Sequence, residues 1–468
     1  MQNLLTYLVM FLLYFASSFI NVSEANTTSK YLQKYRSNDF SLFHNSPKAS
    51  VYRWKHSYRE KHWRNRFKKF SKSLNDATWQ QIQYKTEWAE RAGLQVVNLR
   101  GKFYLMGGRK PLLNPRFNNE STLFNDVWVS GNKGSTWRKL LDSDENSHWP
   151  ARAYFKVVTK GQYMYVIGGQ NFKPVCVAPN PVPQGFPECF AYQPQSEFFN
   201  DVWRSKNGKN WKRMTANAPW VGRAGLMAEV LGNRIYVFGG SKNDDSAVVQ
   251  GAPARIYYND VWSSKDGKHW RKETAEAKWS KRAGGATLVK NGFIYLLGGE
   301  FGFLPDEQGN LPYLNDVWRT RNGSKWQRVT AAAQWSPRPG HQCEVIYNKM
   351  VCFGGFGLPF NPTQVWQSRT GKKWTPLSIG AWGALTDFDS LPFASEAIKY
   401  DFDVVRDTNW RTGEQSIYTF GGDREVFFTP FCPQQCEFGD TECNQELLQC
   451  VATFNFDRVE NDVWKFGF

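Results

Sequence analysis

Histidine is scarce in this 468-residue sequence: there are six, and only His148, His269 and His341 lie beyond residue 72. The sequence has no nucleophile elbow, no phosphate-binding glycine loop and no His-x-x-x-His metal pair. Residues 142–146 open like a calcium loop but lack the glycine at position six and the glutamate at position twelve. We therefore expect no cofactor and no metal site, and the composition favours a protein without catalytic activity.

The N terminus carries an uncharged apolar run, residues 4–20, followed by Ser23 and Ala25 at the −3 and −1 positions of a cleavage site. This pattern predicts a signal peptide over residues 1–25 and a secreted, extracellular protein. A run of this length also leaves open an uncleaved signal anchor that would hold the protein in a membrane. Eight cysteines, an even number, fit an oxidising compartment.

Acidic residues do not balance the basic ones, and the formal net charge is +17. Residues 30–72 alone hold 13 Lys/Arg and 2 Asp/Glu. We therefore predict a basic, aromatic-rich arm over residues 26–73 and a globular domain over residues 74–468. The aromatic spacing in the arm permits an amphipathic cationic helix that would bind a polyanion or an anionic membrane surface. The alternative is a pro-segment or a solvated linker.

One sequence pattern, which we call the phrase, occurs six times along the rest of the chain. An apolar strand ends in a glycine pair, and a variable loop leads to the sequence Asn-Asp-Val-Trp, a turn and a further tryptophan. The glycine pairs are Gly107-Gly108, Gly168-Gly169, Gly239-Gly240, Gly298-Gly299, Gly354-Gly355 and Gly421-Gly422. The Val-Trp tryptophans are Trp128, Trp203, Trp262, Trp318 and Trp464, with Trp366 in a degenerate copy. Each repeat thus offers four short strands separated by turns.

Each part of the phrase has a physical reason. Paired glycines let a strand end bend sharply where another backbone approaches closely. The Asn-Asp pair is expected to bond its own backbone at the corner before the next strand. The last repeat lacks its fourth strand, and Ala77-Thr78-Trp79-Gln80 matches the missing element. We therefore predict an all-β, six-bladed propeller whose N-terminal strand, at about 77–84, completes the C-terminal blade and closes the ring.

Through these glycine pairs and tryptophans, and through the Arg-Ala-Gly starts at Arg91, Arg223 and Arg282, residues 77–468 resemble the kelch-repeat propellers. The turns, such as Ser130 to Trp137, are similar to the Asp-box hairpins of sialidases, where the motif is structural. The resemblance implies the fold, but kelch propellers host adaptors, lectin-like binders, mutarotases and oxidases, so it leaves function open.

Five arginines recur at the start of the first strand of a repeat: Arg91, Arg152, Arg223, Arg282 and Arg338. A ring of guanidinium groups there would clamp a carboxylate, sulfate or phosphate. The alternative is that each guanidinium bonds carbonyl groups of a neighbouring blade.

The sixth repeat departs from this pattern. Its tryptophan at position 382 is followed by Leu385 where the other repeats have arginine, and then by Asp387 and Asp389. A specific ligand site is expected where the symmetry breaks, so we include Asp387, Asp389, Asp423 and Arg424 among the candidate ligand-binding residues. The alternative is a simple loop corner.

The cysteines are predicted to form disulfides that brace loops. Cys343 and Cys352 flank a predicted hairpin and are expected to cross-link its strands, and Cys176 and Cys189 lie in the loop of the second repeat. Cys432, Cys436, Cys443 and Cys450 lie in the loop of the sixth, and their three possible pairings stay open.

Long, unequal, disulfide-braced loops on one rim of a rigid disc predict a recognition face. The sequence therefore favours a non-catalytic, monomeric protein that binds an extracellular protein or glycan, and we expect no specific nucleic-acid binding. The alternative is a carbohydrate-active propeller, similar to a sialic-acid mutarotase or a glycosidase, that works with carboxylates and arginines on the loop face.

Overall fold

Short strands alternate with tight turns throughout the second of two compact units, Lys68–Phe468. The computed structural model describes residues 73–111, 121–143, 148–171, 173–176, 192–243, 254–302, 305–306, 308–357, 362–384, 399–424 and 459–468, with the backbone alone at 173–176 and 192–195. The predicted signal peptide and nearly all of the predicted arm lie outside these residues. No helix in this part of the chain is long and apolar enough to cross a membrane.

The first strand, β1 (Thr78–Gln83), follows a 3-10 turn at Leu74–Asp76. Blade one then contains β2 (Gln95–Leu99), β3 (Lys102–Met106), β4 (Arg109–Pro111), β5 (Ser121–Leu123), β6 (Val127–Ser130) and β7 (Arg138–Leu141). Blade two contains β8 (Lys156–Lys160), β9 (Tyr163–Ile167), β10 (Lys173–Cys176), β11 (Tyr192–Gln195), β12 (Val202–Ser205) and β13 (Trp211–Thr215). Blade three contains β14 (Met227–Leu231), β15 (Arg234–Phe238), β16 (Ser241–Lys242), β17 (Ile256–Tyr257), β18 (Val261–Ser264) and β19 (Trp270–Thr274).

The remaining blades are simpler. Blade four contains β20 (Ala286–Lys290), β21 (Phe293–Glu300), β22 (Tyr313–Thr320) and β23 (Trp326–Thr330). Blade five contains β24 (Gln342–Ile346), β25 (Lys349–Phe353), β26 (Gln364–Ser368) and β27 (Thr375–Gly380), followed by a 3-10 turn at Ala381–Gly383. Blade six contains β28 (Asp403–Thr408), β29 (Gln415–Asp423) and β30 (Val459–Gly467).

Every blade is a four-stranded antiparallel sheet, so the predicted six-bladed propeller is confirmed. We call the strands a to d from the axis outward. The six a strands, β2, β8, β14, β20, β24 and β28, contact one another in that order and return to β2, which places them around the axis. The pairs β4–β5, β10–β11 and β16–β17 form separate hairpins in the connections between strands b and c.

The a strand of blade one, β2, is mostly apolar because both of its faces are covered. In β2, Val96 packs with side chains of blade six such as Phe420, whereas Val97 packs with side chains of blade two such as Phe155. Each seam between blades is therefore a hydrophobic layer shared by two sheets.

Ring closure follows the prediction. Strand β1 is the d strand of blade six and pairs antiparallel with β30, with Trp79 opposite Phe466 and Gln81 opposite Trp464. The Trp79 ring also lies 5.2 Å from Phe353 of blade five, measured between ring centroids. One segment from the start of the propeller thus ties together blade six and the adjacent blade.

Antiparallel alternation gives the disc two different faces. The a–b and c–d turns lie on one side, which we call the turn face, and the b–c and d–a connections lie on the other, the loop face. The c–d turns share one geometry: in blade three the Ser264 hydroxyl accepts the Gly267 N–H at 2.8 Å, and the Trp270 indole donates to the Gly267 carbonyl at 3.1 Å. The turn face is therefore regular, and the long connections occur on the loop face.

We expect Trp79→Ala to lower the free energy of unfolding by about 2–4 kcal/mol, because a large half-buried ring is lost from the closing strand. Gln80→Ala is the matched control, since Gln80 is the exposed neighbour on the same strand. Urea denaturation followed by circular dichroism measures both variants. Equal midpoints for the two would show that β1 does not stabilise the ring.

Candidate functional site

The axial opening on the loop face is encircled by a closed ring of six backbone hydrogen bonds. Each N–H donates to the carbonyl of the preceding blade at 2.8–3.1 Å. The six residues are Gly93, Tyr154, Gly225, Gly284, Gly340 and Asp401. All six have φ between 52° and 64°, the left-handed region that favours glycine. We call this set the axial ring.

Two members of the axial ring are not glycine. Tyr154 and Asp401 adopt φ of 54° and 52°, which costs each about 1 kcal/mol relative to glycine. Their side chains stand at the opening: the Tyr154 ring lies against Gly93, and the Asp401 carboxylate lies beside Gly340. Both side chains are half-buried. Non-glycine residues held in this conformation are a feature of functional sites.

Arg109, in the b–c hairpin of blade one, extends this polar cluster. Its Nε donates to the Tyr154 hydroxyl at 2.8 Å, and its Nη2 lies 3.8 Å from Oδ2 of Asp423. Asp423 ends strand β29 and is fully buried, whereas Arg109 retains 13% of its side-chain exposure. Residues of blades one, two and six thus bring a cation, a phenol and a carboxylate together at the opening. We call Arg109, Tyr154, Asp401 and Asp423 the axial mouth.

Charged residues also line the channel below the opening, on the a strands. Glu229 of β14 accepts a hydrogen bond from the Thr287 hydroxyl at 2.9 Å, and Asp403 of β28 accepts the Val96 N–H at 2.5 Å. Burial raises the pKa of Glu229 to about 7 and that of Asp403 to about 6, although the Lys156 ammonium partly offsets both shifts. Burial also raises the pKa of Glu344. At neutral pH the Glu229 carboxyl is therefore partly protonated.

The five predicted arginines do not form an anion clamp. Four of them lie buried against the aspartate of the Asn-Asp-Val-Trp sequence in their own blade; Arg91 and Asp126, for example, are joined by bonds of 2.6 and 3.0 Å. The equivalent pairs are Arg152–Asp201, Arg223–Asp260 and Arg282–Asp316. A second nitrogen contact goes to the glycine carbonyl, as from Arg91 to Gly107 at 3.1 Å. The guanidinium groups therefore brace their own blades, and not a neighbouring blade as the alternative supposed.

The Asn-Asp pair also acts differently from our expectation. Oδ2 of Asp126 accepts the indole N–H of Trp128 at 2.8 Å, so one carboxylate holds both the arginine and the tryptophan. The amide of Asn125 donates to the Trp149 carbonyl at 3.0 Å, which fixes the d–a connection of the blade. The Asn125 bond spans 24 residues, whereas the Asp126–Trp128 bond joins two side chains that are two residues apart, so neither is the bond to the pair's own backbone that we expected.

Leu385 is not the counterpart of the arginines. In every other blade the arginine precedes strand a by four residues, and in blade six that position is Lys399, four before Asp403. Lys399 is buried and pairs with Asp462, as the arginines pair with their aspartates. Residues inserted between Trp382 and Lys399 hid this relationship. Leu385, Asp387 and Asp389 lie outside the described residues.

Blade five is the actual break in the symmetry. Gln364 stands where the other blades have aspartate, and buried Arg338 has no carboxylate partner among the described residues. Its guanidinium bonds the Gly354 carbonyl at 3.1 Å and the Ser336 hydroxyl at 2.7 Å. Burial lowers the pKa of Arg338 to about 9, and burial together with the Arg338 charge lowers the pKa of His341 to about 3.

The other predicted site residues have varied positions. Asp423 belongs to the axial mouth, and the adjacent Arg424 pairs with Glu460 at 2.8 Å. The predicted Cys343–Cys352 disulfide is present and joins facing residues of β24 and β25. The Cys176 side chain and Cys189, Cys432, Cys436, Cys443 and Cys450 lie outside the described residues. The tryptophans of the d–a connections, such as Trp149 and Trp279, are buried and do not offer a ring to a ligand.

Sequence reasoning did not identify Arg109, Tyr154, Asp401 or the channel carboxyls. A signal for Tyr154 was present: Arg152-Ala-Tyr stands where other repeats read Arg-Ala-Gly. Another was the isolated glutamate inside the apolar strand Met227–Leu231. Asp401 could not be found in this way, because its repeat was misaligned by the insertion before Lys399.

Comparison with known families supports the repeat assignment. Residues 191–355 match the family model described as the KLHDC2/KLHL20/DRC7 Kelch-repeats domain. No curated protein matches the chain. The chain therefore contains kelch repeats arranged as a six-bladed propeller, a fold that commonly mediates protein binding.

We expect Gln364→Asp to raise the free energy of unfolding by about 1–3 kcal/mol at neutral pH, because it gives buried Arg338 the carboxylate that its counterparts have. Asp316→Asn in blade four is the converse variant, and it should destabilise by about 3–5 kcal/mol by leaving Arg282 unpaired. Urea denaturation measures both. A destabilising Gln364→Asp would show that blade five has repacked around the absence of the acid.

We expect stability to fall as the pH rises from about 5 to 8. Glu229 has a raised pKa in the folded protein, so the native state binds more protons than the unfolded state between about 4.5 and 7, and unfolding becomes easier as protons leave. Glu229→Gln should therefore stabilise by about 1–3 kcal/mol at pH 8 and have little effect at pH 5. Thermal unfolding across this pH range measures the difference. A constant effect of the substitution at all pH values would contradict the raised pKa.

Proposed function

We propose that this protein is a secreted, non-catalytic binding protein that recognises an extracellular protein or glycan with its loop face. The observation that carries the proposal is the axial mouth. Four of the six axial-ring positions are glycine, and the two that are not place Tyr154 and Asp401 at the opening despite the backbone strain. The side chains at these two positions are not needed to close the ring, since glycine serves at the other four.

The chemistry of the axial mouth suits recognition. Arginine and tyrosine are enriched among residues that dominate binding energy, since each offers a large contact area with a polar end. Arg109 is already oriented by its bond to the Tyr154 hydroxyl, which limits the entropy lost on binding. The half-buried carboxylate of Asp401 adds hydrogen-bond acceptors. A ligand with both donor groups and an anionic or carbonyl group fits this set.

The surrounding connections support the same proposal. Separate two-stranded hairpins rise from blades one, two and three on the loop face, and blade four extends β21 and β22 in the same region. The turn face has only short connections by comparison. Unequal connections around a fixed opening are typical of a rigid scaffold that presents a specific binding surface.

Matched variants test the role of the axial mouth. Random peptides displayed on phage and a glycan array, each selected on the full-length protein, supply the probes. The double variant Tyr154→Gly/Asp401→Gly should keep the stability of the propeller, because glycine suits both backbone conformations. It should weaken selected probes at least tenfold, about 1.4 kcal/mol, as should Arg109→Ala.

Lys212→Ala is the control, since Lys212 is exposed on the outer strand β13 away from the opening. It should leave every probe unaffected. Probes that bind the axial-mouth variants as tightly as wild type would place recognition elsewhere. Release or epimerisation of an array sugar by the protein would overturn the non-catalytic proposal in favour of a carbohydrate-active enzyme.

A further inference from the structure

The turns of the turn face carry more positive charge than the propeller has in total, since residues 73–468 have a net charge of +7. Its eleven turns are residues 99–102, 130–137, 160–163, 205–211, 231–234, 264–270, 290–293, 320–326, 346–349, 368–374 and 408–415. Together they hold 17 Lys/Arg and only two acids, Asp266 and Glu414, a net charge of +15. The rest of residues 73–468 carries a net charge of −8. The turns are therefore strongly basic relative to the rest of the sequence.

Most of these cations are free to meet a partner. Twelve are exposed, and none of the twelve forms an ion pair with another residue in the part of the chain that the structure describes. They are Arg100, Lys102, Lys206, Lys209, Lys265, Lys268, Arg321, Lys325, Arg369, Lys372, Lys373 and Arg411. The cations also repel one another: burial and the Arg369 charge lower the pKa of both Lys290 and Lys349.

The c–d hairpins present several of these charges in the same local frame. Four c–d turns place a cation directly after the Ser or Thr that begins the turn: Lys206, Lys265, Arg321 and Arg369. That Ser or Thr accepts the glycine N–H in each case, at 2.8–2.9 Å. The backbone beneath each charge is therefore fixed. Because the turns belong to four successive blades, the cations spread across the disc and do not follow a single line.

An open cleft interrupts the turn face between blades two and three. It has a volume of about 370 Å³ and is lined by Lys160, Arg204, Lys206 and Lys265 beside Tyr163. The Arg204 guanidinium lies 4.5 Å from the centre of the Tyr163 ring, and the Lys206 ammonium lies 5.1 Å from it. Asp266 also lines the cleft, so its four cations and one acid give it a net positive charge that attracts an anionic headgroup.

Blade six adds an exposed tryptophan to the same face. Trp410 is 81% exposed at the tip of the a–b turn between β28 and β29, which is longer than the a–b turns of the other blades. The guanidinium of Arg411 lies 4.9 Å from its ring centre. An indole beside cations on a flat surface suits the interface of a bilayer, where the ring enters the headgroup layer.

We propose that the turn face docks the propeller onto an anionic phospholipid membrane. The spread of cations over the turns of four successive blades fits a lipid surface better than a linear polyanion, which would contact only a stripe. Each Lys or Arg near such a surface adds to the attraction, and the indole of Trp410 adds an apolar contact. This docking is independent of the axial mouth, and it would leave the loop face directed away from the membrane.

Sedimentation of the full-length protein with vesicles tests the proposal. Wild type should bind vesicles of phosphatidylcholine and phosphatidylserine, bind pure phosphatidylcholine weakly, and dissociate as salt is added. The variant Lys206→Glu/Lys265→Glu/Arg321→Glu/Arg369→Glu should bind the anionic vesicles at least tenfold more weakly. If this variant fails to fold, the two double variants, Lys206→Glu/Lys265→Glu and Arg321→Glu/Arg369→Glu, give the same test.

A control variant makes the same change in net charge away from the turn face. Lys85→Glu/Arg213→Glu/Lys278→Glu/Lys281→Glu alters exposed cations of one d strand and two d–a connections, and it should bind within about twofold of wild type if location matters more than net charge. Equal loss in the two quadruple variants would overturn the proposal. So would hairpin variants that bind like wild type, since the N-terminal arm would then account for any binding.

The variant Trp410→Ser distinguishes binding to a membrane from binding to a linear polyanion. It should weaken vesicle binding several-fold and leave retention on heparin unchanged, because the indole has an apolar layer to enter only in the bilayer. Heparin retention that depends on the four hairpin cations, without any binding to anionic vesicles, would show that the turn face binds a linear polyanion and would overturn the membrane proposal.

Discussion

The structure depends on backbone contacts that join six sheets around one axis. Two sets of hydrogen bonds make these contacts: the axial ring, and the bond from the second glycine of each pair to the next blade, as from Gly108 to the Arg152 carbonyl at 2.9 Å. A Cβ on Gly108 would lie 2.9 Å from the Ala92 carbonyl oxygen, so the contact excludes other residues. The glycines that mark the repeat in the sequence are therefore the positions where the blades touch.

Periodic signals allowed the architecture to be predicted, because glycine pairs and tryptophans follow from contacts that recur in every blade. The partners of the arginines could not be predicted in the same way. Arg91 and Asp126 are separated by 35 residues, and nothing in one sequence indicates that a recurring cation and a recurring acid face each other. The residues inserted before Lys399 made alignment by spacing fail, because the length of a loop does not determine which residue of one repeat is equivalent to which residue of another. Tyr154 was recognisable only because it replaces the glycine of the Arg-Ala-Gly pattern. The structure then explains the pattern, since that glycine is a member of the axial ring.

The two faces of the disc follow different constraints. The c–d turns of blades two to five repeat one hydrogen-bonded frame, so their backbones scarcely vary and only the exposed side chains can differ. On the loop face the backbone itself varies. Charge is therefore the property that distinguishes the turn face, whereas shape and strain distinguish the loop face. Turns with the same backbone can together form a strongly charged surface. A search for departures from the repeat would not detect such a surface.

The closing strand has a consequence for synthesis. Strand β1 is synthesised before every other described strand of the propeller, but its partner β30 is synthesised after all of them. At about 5–20 residues per second, translation of the intervening chain lasts on the order of tens of seconds. Throughout that interval β1 and the growing sheets expose unsatisfied edges, which are prone to mispair with other nascent chains. Folding factors that shield early strands would therefore matter more for this protein than its final stability suggests.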